Sequence, residues 1–445
     1  IRMPGISGTF DASIIDKLIE VQKIPITKAK ERKTEVEDEK AQFNTLSTFL
    51  SELDTSLNGL KTKQDFYKLK VESSHPDILD GAITGPAILG TYEFEVRGMA
   101  RTEKELAYGF PDKDKEPVGF GFVGIEVDGG DEIEVVIEPD ATLQDVATSI
   151  NETDAGVRAM VINTKYKPDS FRLLVISEES GKEATINIDP DTTFLEFKEQ
   201  VTGKNLDVLF EDVPVTDEDN KLDELVDGVA FDVKRSEPGT RVNLNVTYDK
   251  EATMEGIKAF VEKYNQIADF THQQFQVDPE TNKAGRLSGD GTLKTVIRQL
   301  QGTVTLPTNN GGKFRTLAEI GITTDPKTGK LNMDDSKVTE SLADDYDSVA
   351  SLFISTSRTE GAAGRLADKL RNFRDPAAGT VKSRIRGLDA IIDRQDEEIL
   401  KKERLLEEKE NSIRRRFTSL ESRLSELNGQ KSFLASKFGG AAPSG

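Results

Sequence analysis

The feature that most limits what this chain can fold into is a heptad row near its C-terminal end. Ile385, Ile392, Ile399, Leu406, Ile413, Leu420, Leu427 and Leu434 recur every seven residues without a break. Seven residues fall about 20° short of two full α-helical turns, so these side chains form one stripe. Leu388, Phe417 and Leu424 supply a second seam position, but Gln395, Lys402 and Lys409 occupy its middle. A helix from Val381 to Lys437 would be about 85 Å long. It cannot bury its stripe inside a small domain and needs an N-terminal helix, a copy of itself or another protein. The polar middle makes self-pairing marginal and favours a partner within an assembly.

An N-terminal counterpart is legible. Asp11 is placed to cap a helix bearing Ile14, Ile15, Leu18 and Ile19, which Pro25 is expected to end or kink. A second helix is expected from about Thr27 to Leu60. Its apolar positions begin at Val36, and Phe43, Leu46, Leu50, Leu53, Leu57 and Leu60 follow at spacings of 3, 4, 3, 4 and 3. That is a coiled-coil seam. Asn58-Gly59 marks its stop.

Between these ends the chain is acidic. Residues 71–250 hold 40 acidic and 17 basic side chains, a net of −23, against −21 for all 445 residues. The ends are near neutral, which suggests that they pack on something while the middle faces solvent. The middle also alternates as strands do. Tyr92, Phe94 and Val96 are interleaved with charges, as are Ile133, Val135 and Ile137. Further strands are expected at 157–163, 171–177, 184–188, 229–234 and 242–248. Thr142 caps a short helix carrying Leu143, Val146 and Ile150. Residues 189–225 read as acidic and irregular. Helix returns over 251–275, with Ile257, Phe260, Val261, Tyr264 and Ile267 on one face. Shorter helices are expected at 290–301, 335–343, 345–354 and 362–373.

Composition argues against most chemistry. There is no cysteine, and the two histidines, His75 and His272, lie far apart. Disulfides, thiolate sites and cysteine nucleophiles are excluded, and a histidine triad or multi-histidine metal site nearly so. No cofactor is expected. The acidic balance argues against nucleic acid. No run approaches ~20 apolar residues, so no membrane insertion is expected. Ile1 to Glu20 lacks a basic region followed by an apolar core, so no Sec-type signal is expected there. Residues 119–124 match G-x-G-x-x-G, but prolines precede them and a strand follows, so a turn is the expected reading. Asp334, Asp335, Asp344, Asp345 and Asp347 lack calcium-loop spacing and read as helix caps and solvated faces. Arg414-Arg415-Arg416 is too short for nucleic-acid recognition and reads as a solvated helix face.

Pro4 to Asp11, Gly90 to Val96, Thr142 to Ala147, Phe260 to Asn265 and Phe417 to Leu420, in this order, carry a resemblance to the flagellar hook-associated protein 2 family, the filament caps. Pro4-Gly5-Ile6-Ser7-Gly8-Thr9-Phe10-Asp11, Ile14 to Ile19 and Pro25 resemble its opening segment. Gly90 to Val96 resembles the strand that opens its outer domains. Thr142 to Ala147 with Ile150-Asn151 and Gly156 to Ala159 is similar to an insert motif shared with flagellins. Phe260 to Asn265 and the region from Gly321-Ile322 to Leu331 resemble its inner domain. Phe417 to Leu420 with Leu427-Asn428, Phe433-Leu434 and Phe438 resembles its C-terminal helix.

The resemblance implies an α+β multidomain chain: long terminal helices forming coiled-coil legs, a mainly helical inner domain, and β-rich outer head domains inserted between them. The expected organisation is 1–42 with 395–445 as the leg and 43–72 with 250–394 as the inner domain. Residues 73–120 with 190–249 form the β-rich outer domain, and 121–189 the flagellin-insert-like subdomain. The implied function is structural, not enzymatic. A homo-oligomeric ring sits at the distal filament tip, promotes folding and insertion of exported flagellin, and prevents its loss. Secretion through the type III flagellar export route follows, with an extracellular location. Self, flagellin, a hook–filament junction protein and an export chaperone are the implied partners. The two heptad seams are the expected assembly interface. Phe417, Leu420, Leu424, Leu427, Phe433, Leu434 and Phe438 are the candidate chaperone contact. Rival readings are another axial protein at the hook–filament junction, or a surface adhesin working through the acidic head.

Overall fold

The computed structural model describes residues 12–438 other than 190–194, 278, 280–283 and 358. Pro4 to Asp11 and the expected Asp11 cap lie outside the described residues, as do the side chains of Ile14, Ile15 and Phe438. Chain order opens with α1 (Ala12–Leu57) and α2 (Lys63–Phe66). Then come β1 (Leu69–Ser73), β2 (Leu79–Ile83), β3 (Gly90–Gly98), β4 (Thr102–Ala107), β5 (Gly121–Val127), β6 (Ile133–Ile137) and α3 (Leu143–Asn151). After α3 follow β7 (Val157–Asn163), β8 (Phe171–Ser180), β9 (Ile186–Asp189), β10 (Phe197–Val201), β11 (Leu206–Phe210) and β12 (Val213–Asp217). The β-rich part closes with β13 (Lys221–Val226), β14 (Val229–Val233) and β15 (Arg241–Tyr248). The return to helix is α4 (Lys250–Phe275) and α5 (Gly291–Thr305), a small β16–β17 ribbon (Ile322–Thr324 and Leu331–Met333), α6 (Asp335–Asp344), α7 (Tyr346–Phe353), α8 (Ala362–Arg374) and α9 (Thr380–Phe438).

Two compact units result: residues 1–66 with 250–445, and residues 67–249. The first is helical. The second is β-rich and has two cores. One lies between the sheet ordered β1-β15-β3-β11-β12 and the sheet β13-β14-β2. Phe94 sits at its centre, with ring centroids 4.8 Å from Phe231 and 5.0 Å from Phe210. The other core packs β10-β4-β8-β7, β6-β5-β9 and α3 together. Ala107, Phe110, Val118 and Leu195 join it, so this packing extends beyond residues 121–189 on both sides. The expected turn over 119–124 is confined to Gly119 and Phe120: Gly121 to Gly124 already lie in β5, and no helix follows them directly.

Helix α3 has the expected start. The Thr142 hydroxyl accepts from the Asp145 amide, and the Asp145 carboxylate accepts from the Thr142 amide at 2.9 Å. The Thr142 hydroxyl also donates to the Asp145 carboxylate at 2.7 Å, and this bond, with that from the Thr142 amide, holds the carboxyl below its ordinary range. Thr142→Ala is expected to destabilise the β-rich unit by about 1 kcal/mol, read as a shift in denaturant midpoint. Asp334 and Asp345 likewise cap α6 and α7.

Two expectations are corrected. Residues 189–225 are not irregular: β10 to β13 run through them. Leu206 and Val208 alternate inward from β11. The acidic residues that mask this pattern are turns. Glu211 and Asp212 both have positive φ, 50° and 64°, between the paired Phe210 and Val213, a two-residue hairpin turn of the kind that matches strand twist. Pro25 does not end a helix, because α1 continues through it. Proline removes one ladder donor. Packing beyond it offsets that loss, since Ile26 and Ala29 are buried against Ile399, with Leu406 alongside.

Candidate assembly surface

The stripe on α9 is positioned by α1, and the two helices run antiparallel. Lys40 pairs with Asp389, Lys33 with Asp396 at 2.6 Å, and Lys30 with Glu403 at 2.8 Å. Lys409 donates to Gln22 at 3.1 Å. As the numbering rises along α9 it falls along α1. These pairs lie at the partly solvated margin of the helix contact, and each contributes little to stability. Their arrangement is consistent with a single register. The Asp396 carboxylate, hydrogen-bonded to Lys33, holds its ammonium above the ordinary lysine range. The Lys402 ammonium holds Glu398 below the ordinary carboxylate range.

The N-terminal seam does not form an open interface. Phe43, Leu46, Leu50, Leu53, Leu57 and Leu60 are all buried in the chain's own helical core, where α1 packs against α4, α8 and α9. Here the sequence expectation of an assembly seam is corrected. Helices 250–275 and 362–374 lie close in the fold and cover these residues without a second chain. Phe43 also carries the Arg384 guanidinium over its ring, 5.9 Å from the centroid, and Arg384 donates to Glu39. Lys263 pairs with Glu52 and Arg374 with Asp54 along the same helix.

The C-terminal row divides along its length. Ile385 and Ile399 are 8% and 6% exposed, and Leu388 is buried beside them. Ile392, Leu406 and Ile413 are half-buried. Leu420, Leu427 and Leu434 are 47%, 60% and 53% exposed. Geometry explains the trend. Beyond the Lys409–Gln22 contact, α9 continues for 29 residues, whereas only 10 described residues of α1 remain. Of the candidate chaperone contacts, Phe417 and Leu424 are half-buried, and Leu420, Leu427, Phe433 and Leu434 are exposed. Arg414 folds back on Glu410 at 2.7 Å, which makes the arginine run a solvated helix face.

Sequence reasoning missed part of this surface. Leu18, Val21 and Ile24 of α1 are exposed, while Ile19 and Ile26 turn inward. The seven-residue step from Ile19 to Ile26 was the available signal. Among the described residues there is no cluster of three or more acidic or histidine side chains able to hold a metal. No helix of the described residues is long and apolar enough to cross a membrane.

Comparison with known proteins agrees with this architecture. Residues 203–429 match the family model described as flagellar hook-associated protein 2 C-terminus, and residues 7–103 match the model of its N-terminus. The B-type flagellar hook-associated protein 2 of Pseudomonas aeruginosa is 26% identical over 444 residues, covering 91% of each chain. The flagellar hook-associated protein 2 of Escherichia coli K12 is 23% identical over 457 residues, covering 97% of this chain and 96% of the relative. Among solved structures, the D1-D2-D3 domains of the Escherichia coli flagellar cap protein FliD share the fold, with a TM-score of 0.60 and 23% identity. They cover 78% of this chain and 99% of that one.

Proposed function

The chain belongs to the flagellar hook-associated protein 2 family, and from this premise we propose that it is the cap of a bacterial flagellar filament, seated at the distal tip. Several copies form a ring. Exported flagellin folds and inserts beneath it, and the ring keeps subunits from escaping. The matches do not favour a hook–filament junction protein or a surface adhesin.

One observation supports this reading above the others: the graded exposure of the α9 heptad row. A row that is buried near Ile385 and open at Leu427 is anchored at one end and available at the other. Exposed leucines favour a covering partner at roughly 25 cal/mol per Å² of apolar surface buried. Polar seam residues such as Gln395, Lys402 and Lys409 keep such contacts modest. Contacts that must be broken and remade as each flagellin enters suit this pattern better than one large permanent interface. The acidic β-rich unit keeps neighbouring outer surfaces apart and soluble by like charge. Before assembly, an export chaperone covers the same row between residues 417 and 438 on the way out through the type III route. The hook–filament junction protein is the first surface the ring meets.

The test is deletion of residues 401–445 in the source bacterium. Short or absent filaments, with abundant unpolymerised flagellin in the medium, are expected by electron microscopy and flagellin assay. Normal filaments and normal motility would remove the cap reading.

A further inference from the structure

Three carboxylates of the β-rich unit, Glu103, Glu105 and Glu199, lie together at one sheet edge. Strand β4 alternates, with Glu103, Glu105 and Ala107 buried on the face that also carries Val175 of β8. Glu103 is held by two backbone amides, from Ile186 at 3.0 Å and Gly203 at 3.4 Å. Glu105 is only 8% exposed, and no hydrogen bond to its carboxyl is formed among the described residues. The antiparallel register sets Glu105 directly opposite Glu199 of β10. Like charges facing each other across a strand pair oppose the pairing.

The surroundings supply no compensating charge. Glu103 acts from the same strand and Glu199 from β10, while β8 presents Val175 and β9 presents Ile186. No lysine, arginine or histidine acts on the group. Burial first, then the charges of Glu103 and Glu199, pushes the Glu105 carboxyl up to about 7. Strand β10 is weakly held for independent reasons. It is the edge of its sheet, and its register with β4 shifts between Glu199 and Val201.

We propose that Glu105 is a proton-operated latch for the edge strand β10. With Glu105 protonated, β10 and the turn at Thr202–Gly203 stay zipped to β4. Its ionisation releases both, and with them the Gly203 amide that Glu103 uses. The sign follows from linkage. The closed state binds the proton more tightly than the open state, so closure is fully favoured below the ordinary glutamate value. It weakens as pH rises toward 7 and changes little above that.

Hydrogen exchange of the full chain, followed by mass spectrometry at pH 5.5 and pH 8 and corrected for intrinsic rates, tests this. With a closed-state value of about 7 and an ordinary value of 4.5, opening of residues 197–203 should rise roughly thirtyfold between those pH values. Residues 157–163 of β7 should keep their protection. Glu105→Gln should abolish the pH dependence, and the exposed Glu199→Gln should reduce it without disturbing the core. Protection of β10 that ignores pH in the wild type would overturn the latch. So would an undiminished pH response in Glu105→Gln, or an equal loss of protection in β7.

Discussion

Replacing Phe43 with alanine is expected to lower the stability of the helical unit by about 3–5 kcal/mol. Phe43 is 0% exposed and sits where α1 meets the inner helices, with Arg384 stacked on its ring. Removing the ring leaves a cavity whose walls belong to long helices, and these cannot collapse inward without shifting register along their whole contact. Arg384 also loses the surface that orients it toward Glu39. The measurement is a denaturant titration followed by helical ellipticity. Because the β-rich unit has its own cores, amides in β3 and β15 should keep their protection. A loss under about 1 kcal/mol would mean that the N-terminal seam is not the core it is described to be.

The opposite outcome is expected at the far end of the same helical pair. Leu427→Lys combined with Leu434→Lys should leave the stability of the single chain within about 0.5 kcal/mol, because both positions are already largely exposed. Lysine is a good helix former and suits a helix C-terminal end. Assembly should nevertheless fail. Sedimentation of the purified chain should show no self-association, and cells carrying the variant should release flagellin without extending filaments. Two apolar side chains on the open part of the row would be replaced by charges that no partner groove accepts without desolvation. Wild-type filament length in this double variant would move the assembly contact away from α9.

Together the two substitutions separate positions that look alike in the primary structure. Phe43 and Leu427 both occupy heptad positions of long helical patterns. One is enclosed by α4, α8 and α9, and the other extends beyond the described part of α1. Heptad spacing states which side of a helix a residue faces. It does not state whether anything lies on that side.

The same division runs through the rest of the chain. Local elements were readable wherever one periodicity ran unbroken: the heptads of α9, the alternation of β3 and β6, and the hydroxyl–carboxylate pair that starts α3. These depend on neighbours within a few residues, and the physics that sets them is equally local. Strands β10 to β13 were not readable, because turn residues with positive φ and acidic loops interrupt short alternations that only sheet pairing stabilises. The continuity of α1 through Pro25 was hidden for a related reason: a local rule was outweighed by packing from α9. The opposition of Glu105 and Glu199 was hidden most deeply, since 94 residues separate them in the chain and only the β4–β10 register brings them together. The chain alone therefore determined most helices and fewer than half of the strands, together with the inward face wherever one periodicity ran unbroken. Tertiary structure decided which faces are covered, because coverage depends on partners distant in the chain whose position no local periodicity encodes.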